Sequence, residues 1–299
     1  MNRATDPPPR LGYIGLGTMG APMARRLLDW PGGLVVCDSR PAATADFAAA
    51  GATVADTPAE VAAAASIISV TVLDDAQVDE VITGADGILR TARPGTVVAV
   101  HSTIADSTAV DLAQRCRAHD VELVDAPVSG GVPGAKQGRL AVLVGGTDTA
   151  FAAVDAPLRR WADLVVHTGP VGSGTRMKLA RNLVHFVAFT AATEAARLAE
   201  ESGLDLRKLG EVVRHSDAVT GGPGAILWRD STAPLTPGDP WLPIMAHVRD
   251  LGAKDLALAL RLGERLGVEL PLAQLSSRHL AAGLGLAVTG TTDIERNTA

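Results

Sequence analysis

Residues 11–26 read LGYIGLGTMGAPMARR, and this stretch decides the fold. An apolar run leads into Gly15, Gly17 and Gly20, which are spaced as G-x-G-x-x-G, and a helix-like segment follows. In a strand–turn–helix unit, the first glycine permits a tight turn and the second lets the backbone approach a pyrophosphate. The third packs the helix, whose N-terminus faces the phosphates, against its strand. The spacing and its context together predict a dinucleotide-binding loop.

The next apolar run, residues 34–37, leads into an acidic residue that bears on the choice of cofactor. Asp38 lies eighteen positions after Gly20, about where a carboxylate accepts hydrogen bonds from the adenosine ribose. Its charge should repel a 2′-phosphate, so the sequence favours NAD. Arg40 lies two residues further on and is able to bind that phosphate instead, which leaves NADP as the alternative.

Apolar runs typical of strands alternate with helical segments up to residue 168. The runs span residues 11–16, 34–37, 66–72, 96–100, 121–126, 140–145 and 163–168. This alternation predicts a parallel, doubly wound α/β sheet of the Rossmann type, covered by helices on both faces. The later pattern is all helical, over residues 175–202, 206–215, 251–266 and 272–282, with an irregular connection over 219–244.

The chain is therefore predicted to have three parts. Residues 1–10, MNRATDPPPR, are polar and rich in proline, which predicts a disordered tail; they lack the apolar core of a signal peptide. A dinucleotide-binding Rossmann domain is expected over residues 11–168, and an all-helical domain over residues 169–299.

Composition narrows the classes of partner. Acidic residues number 33 against 27 Lys plus Arg, the net charge is -6, and no basic block occurs, so nucleic acid is an unexpected partner. The longest apolar helical stretch is interrupted by His185, Glu194 and Arg197, so no membrane span is predicted. Cys37 and Cys116 are far apart and lie in apolar runs, which is typical of buried thiols in a reducing compartment. A cytoplasmic protein is expected.

A dinucleotide domain also needs a catalytic group, and the sequence offers few. The single tyrosine, Tyr13, lies inside the first strand, which excludes a tyrosine–lysine reductase site. No two of the seven histidines are three or four residues apart, so a zinc alcohol dehydrogenase site is not expected. Lysine remains as the candidate. In GPVGSGTRMKLARN, residues 169–182, a glycine-rich turn precedes Lys178 and Asn182, which a helix presents on one face.

Four ordered blocks resemble the β-hydroxyacid dehydrogenases, which include 3-hydroxyisobutyrate dehydrogenase, tartronate semialdehyde reductase and the phosphogluconate dehydrogenases. The blocks are GLGTMGAPMA (15–24), DAPVSGGVPGAKQGRLAVLVGG (125–146), GPVGSGTRMKLARN (169–182) and LGAKDLALAL (251–260). The resemblance covers nearly the whole chain. It implies a Rossmann domain, a long linking helix, and a helical domain that binds substrate and forms a homodimer or homotetramer.

The resemblance also implies the roles of individual residues. Cofactor contacts are expected at Gly15, Leu16, Gly17, Thr18, Met19, Gly20, Asp38, Ser39, Arg40, Val72, Leu73, Thr103 and Lys254, with Asp255 supporting Lys254. A small carboxylate-bearing substrate is expected at Ser129, Gly130, Gly131, Lys178, Asn182 and His247. Ser129 to Gly131 offer a hydroxyl and consecutive N–H groups that suit a carboxylate. Lys178 and Asn182 are the expected catalytic pair: the lysine exchanges the proton of the substrate hydroxyl, the asparagine orients it, and no metal is required.

Departures from the family pattern leave the substrate open. Val100 stands where relatives often have an acidic residue, His247 stands where they often have an aromatic one, and residues 216–224 also differ. A plain 3-hydroxyisobutyrate pocket is therefore not expected. Three functions are considered: a metal-independent dehydrogenase of a small β-hydroxyacid, an imine reductase, and a non-catalytic dinucleotide-binding protein. Lys178 argues against the second, and the Lys178–Asn182 pair argues against the third.

Overall fold

The computed structural model describes residues 8–227 and 229–287. The strands are β1 (Leu11–Ile14), β2 (Leu34–Cys37), β3 (Thr53–Val54), β4 (Ile67–Val70), β5 (Val97–Val100), β6 (Glu122–Asp125), β7 (Val128–Ser129), β8 (Leu140–Gly145) and β9 (Ala162–Gly169). The helices are α1 (Gly20–Arg25), α2 (Ala45–Ala49), α3 (Pro58–Ala64), α4 (Asp75–Thr83), α5 (Asp106–Arg117), α6 (Gly131–Gln137), α7 (Asp148–Leu158), α8 (Ser173–Glu201), α9 (Leu206–Thr220), α10 (Trp241–Leu266) and α11 (Pro271–Gly283).

The chain divides into two compact units between Arg181 and Asn182, inside α8. In the first unit, the six strands β1 to β6 are all parallel and follow the order β3-β2-β1-β4-β5-β6. This is the strand order of the Rossmann fold, so the predicted fold class is confirmed. The order reverses between β1 and β4, and ligands of such sheets bind outside the carboxyl ends of the strands at this point.

The far end of the sheet is mixed rather than parallel. β8 runs antiparallel to β6 and β7, and β9 pairs parallel to β8. Only Ala126 and Pro127 separate β6 from β7, and both strands pair with β8. Two strands, β3 and β7, have two residues each and were not predicted, because so short a segment carries no periodicity.

The strands β1, β2, β4 and β5 of the first unit are buried on both faces, as central parallel strands are. Along β2, Leu34 and Val36 belong to one apolar cluster, while Val35 and Cys37 belong to the cluster on the other face. Cys116 lies in the second cluster as well, and both cysteines are buried free thiols. The carboxyl ends of the strands are thereby held in a rigid row, from which the loops of the site emerge.

In the described part of the second unit, all regular structure is helical. α9 extends to Thr220, past its predicted end, and stops at Gly221 with φ +89°. α10 begins at Trp241, ten residues before the predicted start at 251. Pro243 lies in its first turn, where a missing N–H costs nothing, and Asp239 accepts the N–H of Trp241 at 2.8 Å. The predicted irregular connection over residues 219–244 is correspondingly shorter.

The N-terminal segment is described only from Pro8 onward, so residues 1–7 of the predicted tail lie outside the described residues. Pro9 accepts a hydrogen bond from the indole N–H of Trp30 at 2.8 Å, and Arg10 donates to Thr53 at 2.5 Å. These last tail residues therefore contact the sheet domain. Within residues 8–227 and 229–287, no helix has both the length and the apolar character needed to cross a bilayer.

Candidate active site

The glycine loop connects β1 to α1 and has the shape that a dinucleotide requires. Gly15 has φ +92°, and a Cβ there would overlap the carbonyl of Thr71. A Cβ at Gly20 would overlap the carbonyl of Gly15, so the turn closes tightly at both ends. A Cβ at Gly17 would meet no atom within 4 Å. The loop is thus closed against the sheet and open at its middle glycine, where a pyrophosphate needs access to the backbone.

Beside the loop lies an open depression of about 540 Å³ that also reaches α6, inside the second of the four sequence blocks (125–146). Its lining residues are Gly17, Thr18, Ala21, Pro22, Arg25, Arg26, Val132 and Lys136. The cofactor loop and α6 therefore border one space. Arg26 joins the two segments, because its guanidinium donates to the carbonyls of Lys136 and Gln137 at 3.3 and 3.2 Å. The sequence did not assign a role to Lys136 or Arg26.

Asp38, at the end of β2, is turned toward the loop and engaged by two partners. One carboxylate oxygen accepts the N–H of Leu16 at 2.7 Å. The other accepts the backbone N–H and the Nε–H of Arg40 at 2.9 and 3.1 Å. Burial raises the pKa of Asp38, but the hydrogen bonds and charge of Arg40 and the N–H of Leu16 lower it more, and the net pKa is below its ordinary value.

The backbone N–H of Leu16 already donates to Asp38, so Leu16 helps to hold this carboxylate in place. Arg40 keeps its guanidinium 65 % exposed although it pairs with a carboxylate that is 6 % exposed. Ser39, between them, is also exposed. The adenosine end of the predicted cofactor site thus presents an accessible positive charge in front of a partly neutralised negative one.

The loops after β4 and β5 are joined by a residue that the sequence did not single out. The hydroxyl of Ser102 accepts the N–H of Val72 at 3.0 Å and donates to its carbonyl at 2.7 Å. Leu73 is 79 % exposed, and its N–H donates to Gln77 at 3.0 Å. Thr103 is exposed next to Ser102. Ser102 therefore fixes the loop on which the predicted contacts Val72 and Leu73 lie.

The predicted substrate segment follows β6 along the chain. Ser129 ends β7, which pairs with β8, and Gly130 and Gly131 have φ +127° and +62°. A side chain at Gly130 would also contact Leu140 closely. Two successive positive φ values explain why glycine occupies both positions.

Lys178 lies in the second turn of α8 and is 9 % exposed. Burial lowers the pKa of its amino group, and the positive charge of Arg181 lowers it further. The start of α8 is held by Asp125, whose carboxylate accepts the N–H groups of Gly172 and Thr175. Asn182 follows one turn after Lys178 in the same helix and is half-exposed. The structure therefore offers a desolvated amine at a fixed place, with an amide one turn away.

Two predicted site residues belong to α10, in the second unit. His247 is exposed, and Lys254 is exposed and forms an ion pair with Asp255 at 3.3 Å. That pair agrees with the supporting role expected for Asp255, although exposed pairs contribute little energy. The roles of His247 and Lys254 in the site stay predictions.

Comparison with known proteins gives the family. Residues 10–169 match the model described as the NAD binding domain of 6-phosphogluconate dehydrogenase. A 3-hydroxyisobutyrate dehydrogenase of Mycobacterium tuberculosis, solved with L-serine, has 29 % identity and a TM-score of 0.65, covering 91 % of this chain and 92 % of that one. The chain belongs to the β-hydroxyacid dehydrogenase family. It is accordingly an NAD(P)-dependent oxidoreductase with an NAD-binding domain.

Other members of this family are more similar in sequence. An uncharacterized oxidoreductase of Mycobacterium tuberculosis is 59 % identical over 93 % of this chain and 94 % of its own length. The crystal structure of a putative oxidoreductase from Mycobacterium avium has 53 % identity and a TM-score of 0.88, with 93 % of this chain and 99 % of that chain covered. These relatives support the family and the fold, and their descriptions name no substrate.

Proposed function

We propose that the protein is a metal-independent oxidoreductase that interconverts a small β-hydroxyacid and its semialdehyde or keto form, with Lys178 as general acid/base. The observation that carries this proposal is the burial of Lys178 at the start of α8, with its pKa lowered. A general base works best when its pKa lies near the operating pH, and an ordinary lysine is protonated far above that range.

The proton transfer follows from the state of this amine. A lysine that has lost its proton accepts the proton of the substrate hydroxyl during oxidation, and the ammonium returns it during reduction. The nicotinamide, when bound, supplies hydride acceptance and donation. Asn182, one turn along α8, has an amide that can hydrogen-bond the substrate oxygen or hold the lysine in place. The glycine loop, Asp38 and Arg40 are the groups proposed to hold the cofactor.

The substrate class follows from the segment Ser129-Gly130-Gly131. We assign its hydroxyl and backbone N–H groups to a substrate carboxylate, since such groups bind carboxylates without burying a second charged side chain. The structural relative that was solved with L-serine supports this class, because serine carries a hydroxyl on the β carbon of a carboxylate. His247 is proposed to contribute to the choice among such acids.

Imine reduction and cofactor binding without catalysis are the two alternatives. A reductase of imines does not need an amine that removes a hydroxyl proton, and a binding protein needs no proton-transfer group. A lysine held at 9 % exposure is costly to keep in either case, because burial disfavours its charge. Lys178 therefore favours the hydroxyacid reaction.

The test of the proposed function is a panel of hydroxyacids with NAD or NADP, followed by the absorbance of the reduced cofactor. Three-carbon and four-carbon β-hydroxyacids are expected to be oxidised, and the 2-hydroxy isomers and simple alcohols to be poor substrates. Cyclic imines with NADH or NADPH form the opposing arm. Turnover of the imines alone would show that the protein is an imine reductase instead. No turnover of hydroxyacids or imines would favour cofactor binding without catalysis.

We also propose that the protein forms a homodimer or homotetramer through its second unit. Every residue of α9 is exposed or half-exposed, although the helix carries Val212, Val213 and Val219. On α8, Phe186 and Phe189 are more than half exposed. Large apolar side chains gathered on uncovered helices are typical of association surfaces, and a second copy offers a matching apolar surface.

Light scattering on a sizing column tests this association. Phe186→Asp is expected to shift the mass toward that of one chain, because a charge opposes burial of the surface. Leu164→Asp, which changes an equally exposed apolar side chain of β9 in the first unit, is the matched control and should leave the mass unchanged. A wild-type mass of one chain would contradict the proposal.

We also propose a cytoplasmic location, because Cys37 and Cys116 are free thiols. Cell fractionation tests this location.

A further inference from the structure

Asp125 is a fully buried carboxylate that connects two segments of the first unit. It ends β6, and its side chain is closed off from solvent. One oxygen accepts the N–H of Gly172 at 2.7 Å, and the other accepts the N–H of Thr175 at 2.6 Å. These amides lie at the start of α8, where backbone N–H groups have no partner within the helix. Both bonds are charge-assisted and therefore stronger than bonds between neutral groups.

The contact between the helix start and the sheet is close on the backbone side as well. A Cβ at Gly174 would overlap the carbonyls of Leu143 and Asp125, and a Cβ at Gly145 would overlap the Asp125 carboxylate. Glycine at both positions lets the first turn of α8 lie directly against the strand ends. A helix cap contributed by an adjacent residue would satisfy the same amides, but it would not tie α8 to the sheet.

Asp125 is close along the chain to the Ser129 segment, and the amide that it caps is close to Lys178. Asp125 precedes Ser129 by four residues, and Thr175 precedes Lys178 by three. The capped amide is thus one helical turn from the lysine. The same carboxylate lies just ahead of the segment to which the proposed function assigns the substrate carboxylate.

We propose that Asp125 is a positioning residue for the reaction. It fixes the start of α8 against the strand that leads to Ser129, and so sets the place of the Lys178 amine relative to the bound substrate. This inference rests on the proposed function, in which Lys178 exchanges the proton. A buried carboxylate is costly, so a neutral cap would serve if capping alone were needed. Catalysis is sensitive to such placement, and a displacement of about 1 Å costs about 10²-fold in rate.

The chain contains a matched control in its second unit. Glu194 is also buried, and its two oxygens accept the N–H groups of Leu272 and Ala273 at 2.7 and 3.1 Å. It caps α11, which carries no predicted site residue. Asp125→Asn and Glu194→Gln each remove the charge of a buried carboxylate that accepts two helix N–H groups. The first affects α8, which carries the proposed base, and the second affects α11, which does not.

The first measurement needs no substrate. Trinitrobenzenesulfonate modifies deprotonated lysines, and mass spectrometry of the digest gives the extent at each pH for Lys136, Lys178, Lys208 and Lys254, the four lysines of the chain. In the wild type, the modification midpoint of Lys178 should lie below the ordinary range of lysine, because burial lowers the pKa of its amino group. Asp125→Asn should move this midpoint toward the ordinary range, because a released helix start admits water to the amine. Glu194→Gln should leave it in place. An unchanged midpoint in Asp125→Asn would overturn the inference.

The second measurement is kinetic and uses the best acid of the panel. Asp125→Asn is expected to lower kcat by about 10- to 100-fold. The dissociation constant of the nucleotide should stay within about twofold of the wild type, because β4 and β5 separate the strand of the glycine loop from the strand that Asp125 ends. Glu194→Gln should lose a comparable amount of thermal stability with little change in kcat. Equal loss of kcat in both variants would assign Asp125 a structural role only and overturn the proposal.

Two arrangements keep the outcomes distinct. If Asp125→Asn does not fold, Asp125→Ser retains one acceptor for the helix amides, and its kcat and Lys178 midpoint should lie between those of the wild type and an uncapped helix. Wild-type values in Asp125→Ser would count against the inference. If the wild type turns over no hydroxyacid, the proposed function fails, and the Lys178 midpoint still decides whether Asp125 positions that side chain.

Discussion

Replacement of Asp38 by Asn tests how the protein chooses between NAD and NADP. In the structure, the carboxylate is held by the N–H of Leu16 and by three N–H groups of Arg40. An amide keeps one acceptor oxygen and removes the negative charge. The guanidinium of Arg40, already 65 % exposed, would then lose its ionic partner and become available to a 2′-phosphate.

The size of the effect follows from the exposure of the pair. Repulsion between unit charges about 4 Å apart is about 1 kcal/mol in bulk water and about 4 kcal/mol near a protein surface. The ion pair with Arg40 and the exposure of its guanidinium place the effect toward the lower figure. Removing it should change the ratio of NADP to NAD affinity by about fivefold to thirtyfold in favour of NADP. Loss of the ion pair should change the folding stability little, because Arg40 remains largely in solvent.

The assay is a fluorescence titration of NADH and NADPH against wild type, Asp38→Asn and Asp38→Asn with Arg40→Ala. The double variant should lose most of the gained NADPH affinity, since the guanidinium is gone. Asp163→Asn, which removes a carboxylate paired with Arg139 at 3.4 Å on β9, controls for the change in net charge. A wild type that already prefers NADPH severalfold, or an unchanged ratio in Asp38→Asn, would refute the reasoning.

Three further predictions concern histidine and lysine. Burial lowers the pKa of His101 to about 4 from 6.5, so its contribution to stability is present above pH 6.5 and is lost as the pH falls toward 4. That loss amounts to about 3 kcal/mol, and urea unfolding of His101→Gln should show a flatter pH dependence between these values; equal slopes would count against it. His247→Phe should change the ranking of acids in the panel and leave nucleotide affinity unaltered, and an unchanged ranking would remove His247 from the site. The rate of oxidation should rise with pH through a limb below the ordinary range of lysine, because burial and Arg181 lower the pKa of Lys178; a limb at the ordinary lysine pKa would contradict this.

The sheet domain could be predicted from the sequence because its signals are local. The glycine spacing after β1 and the apolar runs that became β2, β4, β5 and β8 each carry their pattern within a few residues. β3 and β7 could not be predicted, since two residues show no alternation. The start of α10 was not predicted because Pro243 lies there, and proline is common both in loops and in the first turn of a helix.

The sequence predicted which residues form the candidate site, but it did not predict which residues hold them in place. Lys178 and the glycine segment stand out by type and spacing, and the resemblance ordered them. The partners that hold them are distant along the chain: Asp125 bonds Thr175 at a separation of 50 residues, and Ser102 bonds Val72 at a separation of 30. No spacing rule connects such pairs. The bond from Arg40 to Asp38 is short-range, yet its geometry depends on where Leu16 places the carboxylate.

The central claim, that Lys178 exchanges the substrate proton, is tested most directly by Lys178→Ala, with turnover and nucleotide affinity measured on the same preparation. Turnover should fall by about 10² to 10⁴, the usual contribution of positioned acid–base catalysis, while nucleotide affinity changes by less than about tenfold. Lys178→Arg should restore little, since a guanidinium does not release its proton near neutral pH. Lys208→Ala, an exposed lysine of α9, should behave as the wild type. Near-normal turnover in Lys178→Ala would contradict the account and transfer the role to another group, with Lys254 the first to examine.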